Sequence, residues 1–174
     1  NYEEIPSQLK EFEEAFEVLR DLYIHGHVFC ESDWAVDKNW QKTGWFEEDT
    51  WGRAKVDAFV YEEGISKEAR VIDFKTGRYD GNQETHREQC ELYGAVALSR
   101  YPELESIQTE MWYLDHGKID RYIYTPQSIK AKQEKLNQRA LAMTTAEEFP
   151  ANPSKFKCKW CYFGKQNMCR EAAA

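Results

Sequence analysis

Apolar residues recur at Leu9, Phe12, Phe16, Leu19 and Tyr23, three or four positions apart. That spacing predicts an amphipathic helix, entered at Pro6-Ser7 with Ser7 as its N-cap. The remaining face, with Glu11, Glu13, Glu14, Glu17 and Asp21, is acidic and suits solvent. From Val28 to Val36 the pattern shortens to that of a strand. The polar stretch from Asp37 to Thr50 carries Trp40, Trp45 and Phe46 and predicts a hairpin or a mobile loop. Its aromatics either pack beneath the loop or stack on unpaired bases. Arg53 to Tyr61 alternates, with Val56, Ala58 and Val60 on one face and Asp57, Phe59 and Tyr61 on the other. Glu62-Glu63-Gly64 makes a turn, and Arg70 to Lys75 returns as the second strand of a hairpin.

Tyr79 to Thr85 reads as a loop, and His86 to Arg100 as a helix with Gln89, Leu92, Tyr93, Val96 and Arg100 along one side. Pro102 ends it. Ser106 to Tyr113 and Lys118 to Tyr124 are strands joined by a turn at Asp115-His116-Gly117. Thr125 caps a last helix, Pro126 takes its first position, and Ile129, Leu136, Ala140 and Met143 form its buried side. Asn152-Pro153 opens an irregular tail. The predicted class is therefore α/β, a mixed β-sheet flanked by helices in the order α-βββ-α-ββ-α.

Composition adds bounds. A chain of 174 residues with 41% hydrophobic and 31% charged residues is long enough for one domain with a true core. No run reaches the roughly 18 apolar residues of a membrane span, and the start lacks a signal-peptide pattern. No membrane association is expected. Five cysteines, three of them crowded near the C-terminus, argue against a disulfide framework and for a reducing, cytoplasmic setting. The net charge of −8 counts against passive nucleic-acid binding. It is uneven, however: the first sixty or so residues hold most of the acids, while Lys130–Arg139 and Lys155–Arg170 are basic.

Candidate chemistry sits at Arg70-Val71-Ile72-Asp73-Phe74-Lys75-Thr76-Gly77-Arg78. Alternation puts Asp73 and Lys75 on one face, with Ile72 and Phe74 on the other. Asp57 on the preceding strand would lie roughly 5 Å from Asp73 if the two face the same way. Two carboxylates, with the Phe74 carbonyl as an additional oxygen, suit Mg²⁺ or Mn²⁺, and a lysine beside them can hold or deprotonate a water. The plainer reading is a surface ion pair at a strand end. Gln89 and Tyr93, four apart, share a helix face and can hydrogen-bond a phosphate or a water.

Asp57, then Asp73-x-Lys75 within Ile-Asp-Phe-Lys-Thr-Gly, then Gln89-x-x-x-Tyr93, resembles the PD-(D/E)xK nuclease superfamily, and within it the RecB-type branch of phage recombination exonucleases and CRISPR adaptation nucleases. The resemblance implies a restriction-endonuclease-like core over residues 1–150 with a cysteine-containing tail, 151–174, packed on it. It implies a metal-dependent deoxyribonuclease, most simply an exonuclease of recombination, repair or phage DNA processing, located in the cytoplasm or in the host cytoplasm if phage-encoded. DNA is the implied partner, with recombination or replication proteins beside it. Asp57 and Asp73 would be metal ligands, Lys75 the catalytic lysine, and Gln89 and Tyr93 the helix motif near the scissile phosphate, with Arg78 as a further DNA contact. The branch carries a metal-contacting histidine on a helix before the first strand. None precedes His25 here, which leaves His25, His27, Glu31, Glu13, Glu17 or an element outside this chain. Relatives also hold a [4Fe–4S] cluster by three C-terminal cysteines and one upstream. Cys158-x-x-Cys161 and Cys169 resemble that triplet and could equally bind zinc. Cys30 and Cys90 read as small core residues.

Overall fold

A computed structural model describes residues 6–172. It divides into two compact units, Asn1–Gln138 and Arg139–Ala174.

The first unit begins differently from the predicted helix. Ser7–Phe12 is a 3₁₀ helix entered at Pro6, and only Glu13–Ile24 (α1) is α-helical. Ser7 lies inside the 3₁₀ segment and caps nothing. Phe12 and Leu19 are buried, whereas Tyr23 is exposed, so the stripe that packs down is Phe12, Ala15, Phe16, Leu19 and Leu22. Two glutamates in the first turn suit the positive end of the α1 dipole.

Among the described residues the sheet has six strands: Val28–Val36 (β1), Lys42–Thr43 (β2), Gly52–Val60 (β3), Glu68–Lys75 (β4), Ser106–Tyr113 (β5) and Lys118–Tyr124 (β6). Their order across the sheet is β2-β1-β3-β4-β5-β6. The single parallel pair is β4 with β5, from Glu68↔Ser106 to Lys75↔Tyr113; the others are antiparallel. Parallel neighbours require a crossover, and helix Gln83–Arg100 (α2) supplies it. The fold is thus the mixed α/β sheet flanked by helices that the order of elements predicts.

Each sheet face has its own core. On one face α1 and the 3₁₀ helix pack Phe12, Leu19, Ala58, Val60, Ile72 and Trp112. On the other, α2 covers Trp34, Val56, Phe59, Val71, Ile107 and Met111. Every residue of α2 from Gly94 to Ala97 is buried, because helix Pro126–Thr145 (α3) begins by closing over it at Ile129. Thr125 does cap α3: its hydroxyl accepts the Ser128 N–H at 3.3 Å. Of the predicted buried side of α3, Ile129 is buried and Leu136 half-buried, but Met143 is 68% exposed.

Gly94 marks a close approach of α2 to Tyr124 on β6. A Cβ there would sit 2.7 Å from Tyr124 Cδ2 and 3.2 Å from its Cγ. Tyr124 is itself buried, so the ring has little room to retreat. Gly94→Ala should therefore destabilise the protein by about 1–3 kcal/mol through overpacking, despite the better helix propensity of alanine. Urea unfolding would measure this, and a gain in stability would show that the ring yields freely.

One strand departs from simple alternation. Ala54 and Val56 face α2, and so do Phe59 and Tyr61, while Ala58 and Val60 face α1. The expectation that Val56 shares a face with Ala58 and Val60 is therefore wrong. The β1–β3 register runs Cys30↔Ala58 and Ser32↔Val56, and the intervening pair, Glu31 and Asp57, drops out of the ladder. Glu31 adopts a left-handed backbone with φ 50°, rare for a residue with a side chain. That one residue turns the parity of β1, and β3 follows it.

In the second unit, the tail is not irregular. Lys155–Trp160 (α4) and Tyr162–Lys165 (α5) are short helices, and Ser154 caps α4 by accepting the Lys157 N–H at 3.1 Å.

Candidate active site

The site is built where β4 ends. Asp73 is 3% exposed, held between β3, β5 and α2. A carboxylate so buried needs partners, and three side chains supply them. Tyr93 Oη lies 2.7 Å from Asp73 Oδ1, and Gln89 Nε2 donates to the same oxygen at 3.1 Å. Lys75 Nζ approaches the other oxygen, Oδ2, to 2.6 Å. Gln89 also donates to Tyr93 Oη, and that hydroxyl lies 3.0 Å from the Lys55 carbonyl. Gln89 and Tyr93 meet Asp73 together because they lie one helical turn apart on α2. Tyr93 is 3% exposed, so it stands behind Asp73 and has no open face to offer a phosphate. Burial first, and then the bond to Asp73, push its phenol far above the ordinary tyrosine range.

Asp57 sits beside this group. The last ladder pair of β3 and β4 on this side is Ala58↔Ile72, and continuing it by one residue sets Asp57 opposite Asp73. There the side chain takes over from the backbone: Phe74 N–H donates to Asp57 Oδ2 at 2.7 Å. Burial raises the Asp57 pKa above its ordinary value; the Phe74 N–H opposes that rise, while the charges of Asp73 and Glu31 add to it. Glu31, opposite Asp57 on β1, turns its carboxylate to Lys55 at 3.2 Å. Lys75 is partly open, with 23% of its side chain exposed.

This donor set fits a hard divalent cation. Asp73 Oδ2 is buried and has the Lys75 ammonium, 2.6 Å away, as its close partner. Two carboxylates on opposite residues of neighbouring strands, one with its ionised form disfavoured, gain from a shared positive charge. All available donors are oxygens, the preference of Mg²⁺ and Mn²⁺. Among the described residues no group of three or more His, Cys, Asp and Glu side chains converges. The site therefore offers two carboxylates and backbone oxygen, with Glu31 outside it. Cys158, Cys161 and Cys169 likewise form no such group, and nothing in the structure supports the expected cluster or zinc there. None of the five cysteines is joined in a disulfide. Cys90 is fully buried, its thiol pushed up to about 11 by burial, whereas Cys30 is exposed and not a core residue. His25 is occupied at the end of α1, with Nδ1 2.7 Å from the Asp21 carbonyl.

The turn after Lys75 is fastened to the β5–β6 turn. Gly77 N–H donates to Asp115 Oδ2 at 2.6 Å, and His116 Nε2 lies 2.8 Å from the Gly77 carbonyl. Gly77 has φ +93°, a conformation that side chains resist. Arg78 follows on this turn and is exposed.

His86 joins the site from α2, a turn before Gln89 and Cys90, and sequence pattern alone did not single it out. Its Nδ1 is 2.9 Å from Tyr113 Oη, and Tyr113 is the ladder partner of Lys75. The spacing His86-x-x-Gln89-x-x-x-Tyr93 was the available signal. Burial and then the Lys75 charge lower the His86 pKa below 6.5, against opposing pulls from Asp73 and Asp120. A histidine with a depressed folded pKa binds fewer protons than its unfolded counterpart just below pH 6.5. Stability should therefore rise with pH from the folded pKa up to about 6.5. His86→Gln should flatten that rise in urea titrations at pH 5.5 and 7.5; an unchanged slope would place its origin elsewhere.

The profile of the PD-(D/E)XK nuclease superfamily matches residues 6–170 of this chain. No curated protein matches it. Among solved structures, SSO0001 is similar over 94% of this chain and 70% of its own, at 16% identity and TM-score 0.44. A candidate exonuclease from Eubacterium rectale is similar over 98% of this chain and 65% of its own, at 15% identity and TM-score 0.47. The chain thus spans about two thirds of the length of either protein. Among the described residues no helix is long and apolar enough to cross a membrane.

Proposed function

From the premise that this chain belongs to the PD-(D/E)XK nuclease superfamily, we propose that Asp57, Asp73 and Lys75 form the active site of a divalent-metal-dependent deoxyribonuclease. The family is one of nucleases, which typically use divalent metals such as Mg²⁺. The finer reading is a RecB-type exonuclease that works in recombination, repair or phage DNA processing. Residues 1–150 would form its catalytic core and 151–174 an attached tail. The single observation that carries the proposal is the treatment of Asp73: buried, oriented through one oxygen by Tyr93 and Gln89, and left with the other oxygen facing Lys75 beside Asp57. A structural ion pair would not need a second carboxylate opposite it on the neighbouring strand.

Asp57, Asp73 and the Phe74 carbonyl would hold Mg²⁺ or Mn²⁺, which supplies positive charge to the phosphoryl group as negative charge builds on it. The rest is chemistry of the chain itself. Tyr93 and Gln89 fix the rotamer of Asp73, so its other oxygen, the one beside Lys75, is aimed without reorganisation. Lys75, drawn to that oxygen and partly open, can orient a water for in-line attack and, once its ammonium has passed a proton to solvent, take up the proton of that water. Phe74 N–H pins Asp57 beside it. His86 and Tyr113 form the neighbouring wall next to Lys75.

The test is a cleavage assay on matched linear and closed circular DNA with Mn²⁺ or Mg²⁺. The proposal expects loss of linear DNA from its ends, 5′-phosphorylated products, no activity in EDTA and survival of the circle. Cleavage of the circle at the same rate would turn the reading to an endonuclease. DNA binding without cleavage under any divalent ion would favour an inactive binding module.

A further inference from the structure

The basic stretch near the C-terminus has no place in the catalysis just described. From Ser154 to Arg170 the chain carries four lysines and one arginine and not one Asp or Glu, within a protein of net charge −8. The same seventeen residues hold Phe156, Trp160, Tyr162 and Phe163. These rings are turned outward: Phe156 is 76% exposed, Trp160 and Tyr162 66%, and Phe163 58%. Large aromatics normally go inside, so an outward cluster calls for a ligand.

The cluster is held together. A Cβ on Gly164 would lie 2.8 Å from the Cys158 carbonyl oxygen, so α4 and α5 meet backbone to backbone. Across that junction Lys165 Nζ stands 5.5 Å from the Trp160 ring centre, and Lys159 Nζ stands 5.7 Å from it. One indole thus has ammonium groups from two helices within about 6 Å of its ring centre.

We infer that this surface of the second unit grips single-stranded DNA, with bases stacking on Trp160 and its aromatic neighbours and phosphates meeting Lys159 and Lys165. Aromatic faces accept any base, while ammonium groups follow the backbone. Charge complementarity selects this partner over an acidic protein surface, because the aromatic rings would then face carboxylates with nothing to stack on. The inference takes only its class of ligand, DNA, from the nuclease reading.

The experiment uses the full chain carrying Lys75→Met, in EDTA, with a fluorescein-labelled twenty-nucleotide oligothymidine followed by anisotropy across a salt series. Trp160→Ala should weaken binding roughly five- to a hundredfold and leave the salt slope unchanged. The pair Lys159→Gln/Lys165→Gln should weaken binding and make the slope of log K against log salt shallower by about 1.4, at about 0.7 per lost contact. Trp160→Phe, which keeps a stacking ring, should bind close to the parent and guards against a mere folding defect in the alanine variant. Parental affinity in both the alanine variant and the lysine pair would overturn the inference. So would no binding by the parent, or equal affinity for a duplex of the same length. The nuclease reading fails separately: a wild-type chain inert with Mn²⁺ leaves these binding results untouched.

Discussion

Lys75→Met should cut DNA cleavage by about a thousandfold or more while the protein stays folded. Methionine keeps most of the side-chain bulk and removes the ammonium. Asp73 Oδ2 then loses its 2.6 Å partner and remains buried without a hydrogen bond. That exposes the fold to a cost of about 1–3 kcal/mol, tolerable for a domain with a usual stability of 5–15 kcal/mol. Lys75→Arg separates two roles. If the ammonium acts by charge alone, arginine should restore a good part of the rate. If it must release and recover a proton, arginine cannot serve, because its guanidinium does not deprotonate in proteins. The account expects no rescue. Single-turnover rates on a labelled oligonucleotide measure both variants, and wild-type rates for the methionine variant would remove Lys75 from the mechanism.

Asp57→Asn should move activity and stability in opposite directions. Activity should fall by about a thousandfold, comparable to the loss of a major electrostatic stabiliser, because one of two carboxylates is gone. Stability without metal at neutral pH should rise. A carboxyl whose folded pKa lies above its unfolded value stabilises the fold below the unfolded pKa and loses that contribution as pH climbs through the folded one. Asp57 is such a group, raised first by burial and further by Asp73 and Glu31. Its carboxylate form is disfavoured in the fold relative to the unfolded chain, and asparagine removes that charge while its amide oxygen can still accept the Phe74 N–H. Mn²⁺ should raise the Tm of the wild type and leave the variant unmoved. Thermal unfolding with and without Mn²⁺ reads all of this. A metal-free variant less stable than the wild type would mean that Asp57 is a structural residue.

Much of the fold was legible because its elements obey their simple periods. β5 and β6 fall on the residues that alternation and turn chemistry predict, β1 keeps its predicted bounds, and α2 ends at Arg100 before Pro102 as expected but begins at Gln83, inside the expected Tyr79–Thr85 loop. What escaped depends on contacts far apart in sequence. Val56 changes face because Glu31, twenty-five residues earlier, adopts a left-handed backbone, and no local pattern announces that. The Ser7 cap failed because the chain there coils as a 3₁₀ helix, which shares the residues of an α-helix start. The tail looked irregular because its helices are six and four residues long, too short for an amphipathic period to show.

The candidate site divides in the same way. Asp73-x-Lys75 follows from strand alternation, and its neighbour Asp57 from hairpin pairing. The sequence also placed Gln89 and Tyr93 on one helix face but pointed them toward a phosphate. Depth decides otherwise: Tyr93 is sealed and directs its hydroxyl to Asp73. His86 was invisible because its partner, Tyr113, comes twenty-seven residues later on the far side of the crossover.

The central claim is that Asp57 and Asp73 share one divalent cation. Anomalous diffraction from a crystal soaked in Mn²⁺ tests it most directly. A manganese peak bridging the two carboxylates, absent from Asp57→Asn crystals soaked alike, is the expected result. A well-ordered soak with no peak there, or a peak bound elsewhere that persists in the variant, would contradict it.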